Sequence, residues 1–279
     1  YSHNLVHLDF LAVMNNRLLK GQKALQGYRS AKNPNDTWVY GTFAIAFWTI
    51  NHLWHLGKYN MGLSSCLGGT GMCIASDIVK KYGWGCDCLT EDMEFAMKCL
   101  SHGIRTCWVH DAIIYDEKPL SFMASCRQRK RWAQGQFDCS ERYIPILWKE
   151  GWKRHSIVIL DGIMQLLQNY FLLVSTFYLL MTYINMFYPC FTVILYNDVL
   201  VPHQFWAILG FIQSVVPLIV LLQIKVPWKI YLYWLIYPVF MYSWIPVTIL
   251  GWKDRHEKGW VHTIHTRSMH FEQASLTRK

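Results

Sequence analysis

Hydrophobic and polar positions follow two regimes along the chain. Residues 162–197, 199–224 and 230–252 contain no Asp, Glu, Lys or Arg, and each run exceeds the roughly 18–20 apolar residues that span a bilayer as a helix. Upstream, the pattern has the short periods of an α/β domain. Residues 6–27 mix charges with Leu, Val and Met at helical spacing. Residues 39–57 are apolar and aromatic and predict a buried helix. Met93, Ala96, Met97 and Leu100 recur at i, i+3, i+4, i+7, which predicts a helix with one apolar stripe. Thr90 stands at its N-cap, Glu91 and Asp92 fill its first turn, and Gly103 is its stop. Arg105–His110 and Ala112–Tyr115 read as short strands rich in Ile, Val, Trp and Tyr.

Between these elements, Lys32-Asn33-Pro34-Asn35-Asp36 is a turn cluster, and Leu67-Gly68-Gly69-Thr70-Gly71 is a loop in which glycine permits close backbone approach. Pro119 suits the first turn of the next helix. That helix carries Gln128, Arg131 and Trp132 at i, i+3, i+4, on one face. Phe122, Met123, Trp132 and Phe137 among many Arg and Lys suit a helix lying at a membrane surface. Three charge-free runs give three crossings and put the basic flanks on opposite sides, whereas basic residues at both ends favour the same side. Either 162–197 crosses twice near Pro189, or Pro238 and Pro246 mark a re-entrant final segment.

Composition sharpens this division. The 279-residue chain is 53% hydrophobic and 16% charged, against about 25% charged in average soluble domains. Its formal charge of +9 gathers beside the apolar runs, at Lys149, Lys153 and Arg154 before them and Lys253, Arg255 and Lys258 after them. Basic residues placed there point to anionic lipid, not nucleic acid. The nine cysteines form no paired CxxC set, so zinc is not indicated, and their odd count suits a reduced, cytosolic face. Tyr1-Ser2-His3-Asn4 does not open a signal peptide.

Two motifs carry chemistry. Asp92, at a helix start, is a candidate base for an acceptor hydroxyl, although Thr-Glu-Asp is also ordinary helix-start chemistry and the helix N-terminus should hold its pKa low. Gln128-Arg129-Lys130-Arg131-Trp132 joins a flat stacking ring to donors for hydroxyl or phosphate oxygens. A basic interfacial helix with a Trp anchor is the alternative.

In this order, with Gln128 36 positions after Asp92 and apolar runs following, the motifs resemble the processive membrane-embedded transferases of glycosyltransferase family 2, the cellulose, chitin, hyaluronan and poly-N-acetylglucosamine synthases. Gly68-Gly69-Thr70-Gly71, His110-Asp111-Ala112 and Tyr115-Asp116-Glu117-Lys118-Pro119 are similar to the segments around the family's acidic motif. Trp260-Val261-His262-Thr263-Ile264-His265-Thr266-Arg267 is similar to its gating segment.

The resemblance implies an inverting transferase with the following organisation: residues 1–117, the C-terminal half of a GT-A-like α/β domain; 118–155, an interfacial helix region; 156–252, an all-α transmembrane region; and 253–279, a cytosolic tail resembling the gating segment. It implies Asp92 as general base and Trp132 under the acceptor sugar. Gln128, Arg131 and Glu91 would contact acceptor or diphosphate, Gly69 and Gly71 would let the loop backbone approach, and Trp260, Thr263, His265 and Arg267 would close over the diphosphate. UDP-N-acetylglucosamine is the first expected donor, UDP-glucose the second, with a growing β-linked polysaccharide as acceptor. The expected setting is the plasma membrane, multi-pass, with the catalytic part cytosolic.

One departure matters. The family's Mg²⁺- or Mn²⁺-binding Asp-x-Asp precedes an Asn and apolar residues; here Tyr1 and His3 stand at those positions before Asn4-Leu5-Val6. Tyr is no useful ligand for a hard cation. The expectation is a chain without a metal site that needs a missing N-terminal half or an export subunit as partner, and that turns over slowly or not at all alone. Such a chain is a fragment, a decayed copy or part of a split enzyme. The alternative is a non-catalytic membrane partner that binds polysaccharide. A transporter is disfavoured, because the apolar runs hold no buried charge of the kind that lines ion pathways.

Overall fold

The computed structural model of the protein describes residues 4–188, 203–257 and 259. Its described strands form one mixed sheet of β1 (Leu5–Val6), β2 (Ala24–Ala31), β3 (Met72–Ile74) and β4 (Thr106–Asp116), in the order β1-β4-β2-β3. β2 and β4 run parallel at the centre, and the two short strands pair antiparallel at the edges. α1 (Phe10–Leu19) covers one face, with Phe10 and Met14 in a core with Leu25, Cys107 and Val109. α2 (Trp38–Thr49) covers the other, with Tyr40 and Phe43 in a core with Tyr28 and Trp108. Cys107, Trp108 and Val109 thus alternate between faces, as strand geometry requires.

The helical spacing over 6–27 is realised only in part. The helix stops at Leu19, Gly21 takes φ +83°, and the chain enters the sheet at Ala24. The two short strands expected over 105–115 are one strand with a bulge. Gly27 pairs with Val109 and Tyr28 with Ile113, so residues 110–112 stand out of the ladder. Gly27 turns its N–H to the Gly71 carbonyl at 2.8 Å, and a Cβ at position 27 would stand 2.5 Å from the Ala112 carbonyl. The bulge therefore depends on a residue without a side chain.

The buried helix expected over 39–57 is present. α2 runs on through a π-helical turn, Ile50–His55, into α3 (Leu56–Asn60). After α4 (Ser76–Tyr82), α5 (Glu91–Ser101) buries Ala96, Met97 and Leu100. Its end is closed by Gly103 at φ +81°, whose N–H reaches the Leu100 carbonyl at 2.8 Å.

α6 (Phe122–Lys153) begins after a Ser121 cap whose hydroxyl accepts the Ala124 N–H at 3.3 Å. Pro119 lies two residues before that cap and is not in the first turn. Along α6, Phe137 is fully buried and Trp132 half-buried, while Met123, Trp148 and Trp152 are exposed. α5 and α7 (Ile157–Leu166) pack against it.

The apolar half continues as α8 (Gln168–Phe187), α9 (His203–Ile224), α10 (Trp228–Tyr242) and α11 (Trp244–Lys253). Among the described residues, one helix is long and apolar enough to cross a bilayer: α10 and α11 together, 26 residues from Trp228 to Lys253. It runs through Pro238 and Pro246 as one helix. α7 and α8 meet at a 52° bend and add a second candidate if a broken pair counts as one span. α9 contributes a shorter apolar stretch, Ile208–Ile224. The run from 162 breaks at Leu167, and α7 packs on the domain through Ile163, Leu166 and an Asp161–Lys58 ion pair at 2.6 Å. Apolar sequence buried by protein has the same composition as apolar sequence buried by lipid.

Candidate active site

Three elements converge on a cavity of about 1140 Å³. The first is the glycine loop after α3. Gln26, fully buried in β2, accepts the Gly68 N–H at 2.8 Å through Oε1 and donates through Nε2 to the Thr70 carbonyl at 2.8 Å. One amide thus fixes both ends of Gly68-Gly69-Thr70. Gly69, at φ +70°, lies against the second element, the start of α5: a Cβ there would stand 3.2 Å from Asp92 Oδ2.

Asp92 accepts the Met93 N–H at 2.7 Å through Oδ1. Burial raises its carboxyl above the ordinary range, and Glu91 pushes the same way, while the Met93 N–H and Arg29 oppose the shift. The helix N-terminus does not hold this acid low, because desolvation outweighs it. Thr90 occupies the cap position, yet its hydroxyl makes no capping bond. It packs instead on Gly135 of α6, where an added Cβ would meet Thr90 Oγ1 at 2.6 Å. That contact brings Asp92 to the third element.

The third element is one face of α6. Gln128, Arg131 and Trp132 line the same cavity as Gly69, Glu91 and Asp92. Trp132 sits edge-on to Phe43 and Phe47 and near-parallel to Trp244, with centroids 6.5 Å apart. Gln128 Oε1 and the Arg131 Nε–H are buried and have no protein partner, as are the Thr70 and Thr90 hydroxyls. Unmet donors and acceptors beside an aromatic platform suit a polyhydroxylated, phosphate-bearing ligand better than an apolar one. Arg129, between these residues in sequence, faces away and is fully buried between α6 and α10.

A family model described as glycosyl transferase family group 2 matches residues 4–202. The chain belongs to that family. It is a glycosyltransferase, and the cavity just described lies mostly within the matched span. Comparison with curated proteins returns no match.

Of the glycosyltransferase residues expected from sequence, Gly71 lies outside the cavity lining. It takes φ +68°, and a Cβ there would press on Ile114 at 2.8 Å, so it serves the packing of loop on sheet. Trp260, Thr263, His265 and Arg267, and likewise Tyr1 and His3, lie outside the described residues. The cavity adds two cations to which sequence gave no role: Arg29, and Lys118 from the Tyr115–Pro119 segment. Arg29 is legible in retrospect as the one charge inside buried strand β2. It donates to the Gly68 carbonyl at 3.2 Å and meets His55 Nε2 at 3.4 Å. A guanidinium only donates, so His55 Nε2 accepts and its Nδ1–H is left to donate to Ser65 Oγ, 2.6 Å away. Burial, then Arg29 and Lys58, hold His55 well below the ordinary imidazole value and so neutral, which this arrangement requires.

Members of the family commonly use a divalent metal. Among the described residues, no three His, Cys, Asp or Glu converge as ligands. The carboxylates at the Asn4 end of the cavity are engaged by lysines, Asp116 by Lys118 at 2.6 Å and Glu117 by Lys32 at 3.7 Å. This donor set does not fit a hard dication, which wants several free carboxylate oxygens.

Proposed function

We propose that this glycosyltransferase extends a β-linked polysaccharide from a UDP-sugar by inverting, single-displacement transfer, with N-acetylglucosamine the first choice of sugar and glucose the second. The observation that carries the reading is the convergence of Asp92 with Gln128, Arg131 and Trp132 on one cavity rich in unpartnered polar atoms. Asp92 takes the proton of the acceptor hydroxyl as its oxygen bonds to the anomeric carbon. The bond from that carbon to the diphosphate breaks, and its electron pair leaves on the phosphate oxygen. A carboxyl raised by burial is a stronger base once ionised, which suits it to this step. Trp132 stacks under the acceptor ring. Gln128, Arg131 and Glu91 hold hydroxyl or diphosphate oxygens, and Gly69 lets the acceptor approach Asp92 closely.

The reaction is set at the cytosolic face of the plasma membrane in a multi-pass protein, with residues 1–117 as catalytic domain, 118–155 as interfacial helix, 156–252 as membrane region and 253–279 as gating tail. The Trp228–Lys253 helix and the basic flanks support that placement. Release of UDP from UDP-N-acetylglucosamine and UDP-glucose, by the chain in membranes beside an Asp92→Asn control, tests the reading. Release that vanishes in the control supports it and names the sugar. Polysaccharide binding with no release above the control would replace it with a non-catalytic partner.

A further inference from the structure

The carboxylates at the Asn4 end of the cavity are each engaged by a lysine, and Arg29 lies in the same lining without being the partner of either pair. Lys118, nearly fully buried, holds Asp116 and also stands 3.7 Å from the centroid of Phe47. Arg29 lies 4.9 Å from the same ring centroid. Its Nε–H is buried with no protein partner, and so is that of Arg131 nearby in the lining. Two cations therefore share one aromatic ring and one carboxylate. Burial lowers both Arg29 and Lys118; Asp116 opposes this at both, Asp92 and Cys66 also face Arg29, and Arg29 further lowers Lys118.

A lone structural ion pair would need one of these cations. The second, Arg29, keeps a buried Nε–H that no protein atom accepts, a hydrogen bond left to give to an anion in the cavity. Guanidinium and ammonium groups flanking one opening match phosphate oxygens. The ring of Phe47 and the Gly68 carbonyl hold them in place before binding, so little ordering is required when the anion enters.

We propose that Arg29 and Lys118 form a metal-independent subsite for the diphosphate of a nucleoside diphosphate, taking the charge-neutralising part that a divalent metal plays elsewhere in the family. The inference rests on the transferase reading above and gives a role to two residues that it leaves without one. As the sugar leaves, the departing diphosphate gains negative charge, and the Arg29 and Lys118 N–H groups meet it without moving a metal ligand.

The test is calorimetric titration of UDP into the full chain in detergent micelles, in EDTA and then with Mg²⁺ or Mn²⁺, with uridine as the phosphate-free control. UDP should bind in EDTA, uridine should bind more weakly, and added metal should change affinity by less than about twofold. Lys118→Gln should weaken UDP binding in EDTA by roughly tenfold or more, and Lys118→Arg should retain most of it. Arg29→Lys, which keeps the charge but loses the fork, gives an intermediate loss. The melting temperature of each variant confirms that it folds, and the Lys118→Arg protein keeps the test open if Lys118→Gln does not. Binding that appears only with added metal, or EDTA binding unchanged in Lys118→Gln, overturns the subsite and leaves the transferase reading standing. No UDP binding under any condition overturns both.

Discussion

Asp92 and Gly69 face each other in the cavity lining so closely that a methyl group on Gly69 would stand 3.2 Å from the Asp92 carboxylate. Gly69 also holds φ +70°, a region that costs an L-residue about 1–2 kcal/mol. Gly69→Ala is therefore expected to lower the melting temperature modestly and to reduce sugar transfer far more, because the carboxylate must turn aside. A variant with wild-type transfer rate would show that the loop does not position the acceptor.

Asp92 itself opposes stability. Its folded-state pKa is raised by burial, so between the unfolded value of about 3.9 and that higher folded value the native state holds the extra proton. By linkage, stability is then lost as pH rises through this window. Asp92→Asn should thus melt at a higher temperature than wild type at pH 7 and at nearly the same temperature near pH 3. In the wild type, transfer should rise with pH along an acidic limb above the ordinary carboxylate range. A limb at the ordinary range would remove Asp92 as the base.

Gly135 sets the distance between α5 and α6. Its replacement by Ala puts a Cβ 2.6 Å from Thr90 Oγ1, with Thr90 N at 2.7 Å. Because backbone is among the obstructing atoms, no rotamer change relieves the contact. Gly135→Ala is expected to cost about 1–3 kcal/mol and to displace Asp92 from the α6 face. Chemical denaturation measures the first effect and UDP release the second.

Arg129 and Arg131 should separate stability from function. Arg129 donates to Ser243 Oγ at 2.8 Å and to the Ser125 hydroxyl at 3.2 Å, and its guanidinium lies 4.5 Å from the centroid of Phe240. It joins α6 to the apolar helix Trp228–Lys253. Arg129→Ala should lose about 2–4 kcal/mol through lost packing and stranded polar partners. Arg131→Ala should leave the melting temperature within a few degrees while weakening acceptor or diphosphate binding. Equal losses of stability would show that both arginines are structural.

The sequence alone determined much of this protein: an α/β segment before an apolar one, the α5 stripe with its Gly103 stop, and Gln128, Arg131 and Trp132 on one face. These are local properties, set by helical periodicity and backbone sterics, and they need no neighbour to be legible. Tertiary structure decided the rest. Gln26 and Gly27 lie in β2, more than 40 positions before the loop and the bulge they govern, so no local pattern reveals their part. Arg29 and Lys118 share the ring of Phe47 although they stand 89 positions apart in the chain. The raised Asp92 carboxyl follows from desolvation by the assembled cavity, which overrides the helix-terminus field that sequence position suggests. The charge-free run beginning at 162 likewise divides at Leu167 because α7 finds α5 and α6 to pack on. Hydrophobicity records that a segment leaves water, and only the packed chain decides whether protein or lipid receives it.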